Sequence, residues 1–176
     1  MKSTKSKIYP QAKIVGNMDN FLLGDFSQID DFCFVNIGKN LSIGKFVHLS
    51  SFVSIIGGGE CEILDFAGLS AGCRVVTGSD DFSGGFLTNP TVPSKYKNTK
   101  EGIVRIGKHA LLGTNVVILP DVEIGAGTIV GAGAIVNKNL ESWSIYAGFN
   151  PRKIGERDKD SVISKEIDLL KNLEII

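Results

Sequence analysis

Histidine, cysteine and tryptophan are scarce in this chain, with two histidines, three cysteines and one tryptophan among 176 residues. The three cysteines, Cys33, Cys61 and Cys73, cannot all pair with one another. Small apolar thiols buried in a core explain them better than metal ligation or redox work. Neither sign of charge is in excess, because nineteen basic and nineteen acidic side chains cancel. That balance leaves no electrostatic footprint for nucleic acid or an anionic membrane as the main partner. No apolar run is long enough to span a bilayer. Met1 to Lys7 is basic, but no apolar stretch follows it before Pro10, so a secretory signal is not expected and the cytoplasm is the expected location.

What the sequence does have is a repeat of six. From about Ile29 to Val136 a branched aliphatic residue recurs, often followed by glycine and usually by a small residue four positions on. The clearest run is Ile106, Leu112, Ile118, Ile124, Val130 and Val136, with Ala110, Val116, Val122, Thr128 and Ala134 in the small position. An earlier run passes through Ile29, Val35, Ile43, Leu49, Ile55, Ile63, Leu69 and Val75, with extra residues near Gly38 and between Gly57 and Glu60. This period fits neither an amphipathic helix nor an ordinary strand; it signals an all-β parallel β-helix.

Three hexapeptides make one triangular coil, so residues about eighteen apart stack on one face at roughly 4.8 Å. The register sets Ile29, Leu49, Leu69, Leu112 and Val130 on a first face and Val35, Ile55, Val75, Ile118 and Val136 on a second. Ile43, Ile63, Ile106 and Ile124 form the third. On each face the small and aliphatic residues point inward and the residue between them outward. All three cysteines fall in the small inward phase. Glycine after the aliphatic residue is expected at a sharp corner, where positive φ is cheap.

Two segments leave the pattern. From about Ser79 to Gly102 the repeat is lost in a stretch with Pro90, Pro93 and many glycine, serine and threonine residues. A loop of this length inside a solenoid reads as functional. It leaves after the second face and rejoins at Ile106 on the third, so it is extruded sideways. Near the C-terminus Asp160 or Ser161 is expected to cap a helix whose Ile163, Ile167, Leu170 and Leu173 or Glu174 form a packing stripe. The expected organisation is a β-helix domain over 1–155 and a helical extension over 156–176.

The coils, the excursion after VVTGSDDFSGG, the re-entry IGKHALLGTNVVILPDVEIGAGTIVGAGAIVNK and the closing SIYAGFNPRKI together resemble the hexapeptide-repeat acyltransferases. The nearest likeness is to small sugar acetyltransferases of the maltose and galactoside type and of polysaccharide gene clusters, and it covers about Ile29 to Ile154. The resemblance implies a left-handed parallel β-helix, a homotrimer, acetyl-coenzyme A as donor and active sites between neighbouring subunits. Zinc enzymes of the carbonic anhydrase type share such coils but need three histidines, so no metal is expected.

The chain departs from the family where related enzymes carry a catalytic histidine, since it reads Thr77-Gly78-Ser79-Asp80-Asp81. That narrows the search for a base to His48 and His109. His48 is outward on the first face, under Gly68 and Leu111, and the family pattern implies that Ser50 and Ser51 beside it face the acceptor sugar. His48 is expected as the base, oriented by Asp80 of a neighbouring subunit. His109, in the corner after Ile106, is the competitor. Asp81, Phe82, Asn89 and Tyr96, with Phe86 and Leu87, are candidates to shape the sugar site. The resemblance lays coenzyme A along Leu111 and the Gly- and Ala-rich corners at Ala126, Gly127, Gly131 and Ala132. Lys138, Arg152 and Lys153 are placed for its phosphates, although Phe149 displaces the family's closing asparagine and proline by one position.

The expected activity is acetyl-coenzyme A-dependent O-acetylation of a surface-polysaccharide sugar or its precursor. A thioester is already activated, so the missing loop histidine also fits an amine acceptor, and N-acetylation of a nucleotide-linked amino sugar is the alternative. A non-catalytic β-helical scaffold is a third reading, from another class.

Overall fold

The computed structural model describes residues 5–174. Its coils stack three sheets into a parallel β-helix. The first holds strands Lys7–Ile8, Gln28–Ile29, His48–Leu49, Gly68–Leu69, Leu111–Leu112, Ile129–Val130, Ser144–Ala147 and Arg152–Glu156, in that order. The second holds Lys13–Val15, Phe34–Asn36, Ser54–Ile56, Arg74–Val76, Val117–Ile118 and Ile135–Val136. The third holds Phe21–Leu23, Asn40–Ile43, Glu60–Ile63, Ile103–Ile106 and Glu123–Ile124. The pairings run Ile29, Leu49, Leu69, Leu112, Val130 on one face and Val35, Ile55, Val75, Ile118, Val136 on the next, the columns the spacing dictates.

Each inward aliphatic residue in these columns is buried, and the small positions Cys33, Val47, Val53, Ala67, Cys73, Ala110, Val116 and Ala134 sit between them. Each large side chain contributes about 1.5–3 kcal/mol by leaving water. Burial pushes the thiols of Cys33 and Cys73 up to about 11 and that of Cys61 to about 12, so all three stay protonated and inert at neutral pH.

The solenoid starts one coil earlier than the repeat suggests. Ile8 stacks on Ile29, Ile14 on Val35 and Leu23 on Ile43. A 3-10 turn at Met18–Asn20 inserts extra residues between Ile14 and Leu23 and hides the period.

The corners also differ from expectation. Glycine after the aliphatic residue does not take positive φ; a Cβ at Gly44 would lie 2.7 Å from the Asp65 amide nitrogen, and at Gly107 or Gly113 it would lie 2.6 Å from the next coil's backbone. Close approach is what requires glycine there. Positive φ falls two positions later, on Phe26, Phe46, Phe66, His109 and Trp143, at +57° to +62°. These rings form a ladder, with Phe26, Phe46 and Phe66 stacked at 4.7 Å and Phe66 on His109 at 5.0 Å. Ring stacking offsets the cost of left-handed backbone at a residue with a Cβ.

After Ala147 the chain reverses, and Arg152–Glu156 pairs antiparallel with Ser144–Ala147. The helix α1 (Lys159–Asn172) follows, capped by Asp158, whose side chain accepts from the Ser161 amide, rather than by Asp160 or Ser161. The expected stripe packs only in part, with Ile163 and Leu170 half-buried. Glu166 turns towards the coils, and Ile167 and Leu173 are left 43% exposed.

Candidate functional site

The excursion leaves the second sheet at Val76 and returns to the third at Ile103, and its base is an antiparallel pair, Gly78–Ser79 with Lys100–Glu101. Its own polar groups shape it. The Asn89 amide donates to Asp80 Oδ2 at 2.9 Å, and the Ser83 amide and hydroxyl donate to Asp81 Oδ1 at 2.9 and 2.6 Å. Those Ser83 contacts, with Asn98 and Lys100 beside them, hold the Asp81 carboxyl below the usual carboxylate range. Phe82 is 92% exposed. At the base a groove of about 490 Å³ is lined by Asn36, the backbone of Gly57, Gly58 and Gly78, and the side chains of Asp80, Lys97 and Glu101.

The two histidines are far apart and differently employed. His48 points outward from the first sheet between Gln28 and Gly68, and its Nε2 stands 3.0 Å from Asp30 Oδ2. Gln28 Nε2 donates to the other Asp30 oxygen at 2.7 Å. Although partial burial opposes it, these bonds lower the Asp30 carboxyl. Within one chain His48 does not meet Asp80, which lies at the excursion beyond the second sheet. His109 is 7% exposed. Its Nε2 stands 2.8 Å from Glu166 Oε2, and Lys108 Nζ donates to the other oxygen at 2.5 Å. Arg157 Nη1 donates to the His109 carbonyl at 2.6 Å. Burial opposes ionisation of Glu166, and the bonds from Lys108 and His109 outweigh it and lower its carboxyl. His109 is thus a clasp between the corner and α1.

The expected donor residues divide. Gly127 already donates its N–H to Lys108 O and accepts Arg157 on its carbonyl, while Ala126 O accepts the Trp143 N–H. Gly131 N–H donates to Tyr146 O. Neither glycine amide is free for a pantetheine carbonyl from this chain. Ala132 sits beside Gly133, where a Cβ would meet nothing within 4 Å, so the corner between the first and second sheets is bare. Leu111 is 42% exposed beside it. Lys153 is held by Glu141 at 3.1 Å and Glu156 at 3.4 Å, whereas Lys138 and Arg152 are exposed.

Residues 103–138 match the family described as bacterial transferase hexapeptide (six repeats). A dTDP-4-amino-4,6-dideoxy-D-glucose acyltransferase of Escherichia coli is 35% identical over 154 residues, 87% of this chain and 80% of that protein. The chain belongs to the hexapeptide-repeat acyltransferases. The crystal structure of AntD, an N-acyltransferase from Bacillus cereus in complex with dTDP and 3-hydroxybutyryl-CoA, superposes on this acyltransferase with a TM-score of 0.89. It shares 36% identity and covers 97% of this chain and 89% of its own. A putative lipopolysaccharide biosynthesis O-acetyl transferase, WbbJ, of Escherichia coli K12 is 27% identical over 143 residues, 77% of this chain and 68% of that protein.

Among the described residues of this acyltransferase no group of His, Cys, Asp or Glu side chains gathers as a metal site would, and no helix is long and apolar enough to cross a membrane. Sequence reasoning missed Asp30 and Glu166, the carboxylates on the two histidines. Asp30 lies one coil below His48 but past the end of its strand, and the register pairs His48 with Gln28 instead. Nothing in the period signals Glu166, which comes from outside it.

Proposed function

We propose that this protein transfers an acyl group from acyl-coenzyme A to the amino group of a nucleotide-linked amino sugar. Likeness over most of the chain to enzymes of dTDP-4-amino-4,6-dideoxyglucose carries the reading, and the chemistry of the site supports it. A hydroxyl must lose its proton as it attacks and needs a base beside it. A neutral amine attacks with its lone pair and sheds the proton afterwards. The C–N bond forms at the thioester carbonyl, the C–S bond breaks, and the proton from nitrogen ends on the departing thiolate. The site has chiefly to align the amine, exclude water and meet the oxyanion with N–H donors. An excursion without histidine suits that task. O-acetylation of a polysaccharide sugar, the first expectation, has the weaker likeness behind it.

In this reading the acceptor's neutral amino group lies in the groove lined by Asp80 and Glu101. The donor runs along the bare corner at Ala132, past Leu111. His48 of an adjacent subunit relays the proton, and the carboxylate behind it is Asp30 of its own chain rather than Asp80. Solved variants of the Bacillus neighbour alter a serine and an aspartate ten positions apart. Ser70 and Asp80 are the one such pair in this sequence, which adds Ser70 to the candidates.

Release of coenzyme A thiol, followed with dTDP-4-amino-4,6-dideoxyglucose and with its 4-hydroxyl counterpart, tests the proposal. Turnover on the amine alone is expected, with His48→Gln slowing it by roughly 10² or more at unchanged KM for acyl-coenzyme A. Equal turnover on the hydroxyl sugar contradicts an amine acceptor. Undiminished turnover in His48→Gln removes the histidine from the relay.

A further inference from the structure

One glycine of the excursion has no internal reason to be glycine. Every other described glycine either takes positive φ or would drive a Cβ to within 4 Å of another atom, but Gly85 does neither. With Gly84 it floors a pocket of about 470 Å³ walled by Phe86, Leu87, Lys95 and Tyr96. The Leu87 amide donates to the Tyr96 carbonyl at 3.0 Å, which sets the outgoing and returning arms of the excursion side by side. Phe86 and Tyr96 are 50% and 49% exposed, too much apolar ring to leave in water without purpose. Lys95 Nζ lies 4.7 Å over the Tyr96 ring.

Two residues on, Lys97 has extended backbone and lines the separate groove at the base of the excursion, with Asp80 and Glu101. Lys95 lies within the 3-10 turn Ser94–Tyr96 and Lys97 closes it, so the two lysines follow one another along the returning arm. Of the carboxylates nearby, Asp80 accepts from the Asn89 amide, Asp81 from Ser83, and Glu101 is paired with Lys39 at 2.9 Å.

We propose that the returning arm holds the nucleoside-diphosphate half of the acceptor. The pyrimidine base lies against Tyr96 and Phe86 over the bare floor at Gly84 and Gly85, the phosphates follow Lys95 and Lys97, and the amino sugar reaches the groove at the base. Aromatic faces accept a stacked base, and lysines attract the phosphates. Tyr96 then meets the base, not the sugar expected from sequence. This placement rests on the reading above that the acceptor is nucleotide-linked.

Calorimetric titration of the full chain with dTDP, which carries base and diphosphate without the sugar, tests it. Tyr96→Ala and Lys97→Ala are each expected to weaken dTDP binding roughly tenfold or more. Tyr96→Phe should retain binding and Gly85→Val should abolish it, with KM for acyl-coenzyme A unchanged throughout. The salt dependence of dTDP binding should be shallower in Lys97→Ala. Wild-type affinity in the Tyr96→Ala, Lys97→Ala double variant overturns the placement and leaves the amine reading standing. No dTDP binding by the unaltered protein overturns both. Binding that needs Tyr96 and Lys97, without acyl transfer to any dTDP-linked amino sugar, upholds the pocket and sinks the reading.

Discussion

Glu166 shows at the scale of one residue how this chain spends its histidines. Its carboxylate is the shared acceptor of Lys108 and His109, and only 8% of its side chain is exposed. Replacing it with glutamine leaves a buried imidazole facing an amide, and the expected loss of stability is about 1–3 kcal/mol. Because the folded carboxyl is lowered from 4.5, its contribution is fully present above that value and disappears as pH falls through the folded value. Chemical denaturation of both proteins from pH 7 down to pH 3 should show the gap between wild type and Glu166→Gln closing in acid; a gap independent of pH contradicts the clasp. The outward position of His48 was legible in the sequence, because the period alone decides which residue of a strand faces out. Its partner was not. Asp30 sits just past the end of its strand, and the side-chain reach that joins it to His48 is a matter of rotamers rather than of register.

At the scale of the element, the coil faces were legible down to individual columns and the corners were not. A face repeats by burial, which apolar letters report directly. A corner is held by φ and by close approach, and phenylalanine in left-handed backbone breaks the habit that assigns such positions to glycine. The same limit hid the first coil, whose inserted turn upsets the spacing, and concealed that a paired glutamate, Glu166, shares the packing face of α1 with Ile163 and Leu170 while Ile167 stays exposed. At Phe46, stacked between Phe26 and Phe66 with φ +57°, glycine and alanine both remove the ring, but only alanine keeps the backbone cost. Phe46→Gly should therefore be less destabilising than Phe46→Ala, by about 1 kcal/mol. The reverse order in thermal unfolding would show that the ladder does not strain its backbone.

For the whole molecule, accessible surface is 9526 Å², against roughly 8,300 Å² for a compact monomer of this mass. A prism with an extruded arm exposes more than a sphere, and here the excess includes apolar outward columns. Leu111, Ile129 and Ile145 follow one another up the first sheet and Val117 and Ile135 up the second, while the third presents Ser42, Glu62, Arg105 and Glu123. The first two faces are apolar only towards these last coils, their outward columns opening with Lys7, Gln28 and His48 and with Lys13, Phe34, Ser54 and Arg74. Burial of the apolar coils between copies is the expectation, so light scattering is expected to give a trimer, and a fully active monomer would contradict sites shared between subunits. The account's central claim is that nitrogen receives the acyl group. Mass spectrometry of the product formed from acetyl-coenzyme A and dTDP-4-amino-4,6-dideoxyglucose, before and after hydroxylamine, tests it most directly. The account predicts one added acyl group that survives treatment as an amide; an added group that hydroxylamine removes is an ester on oxygen and would contradict it.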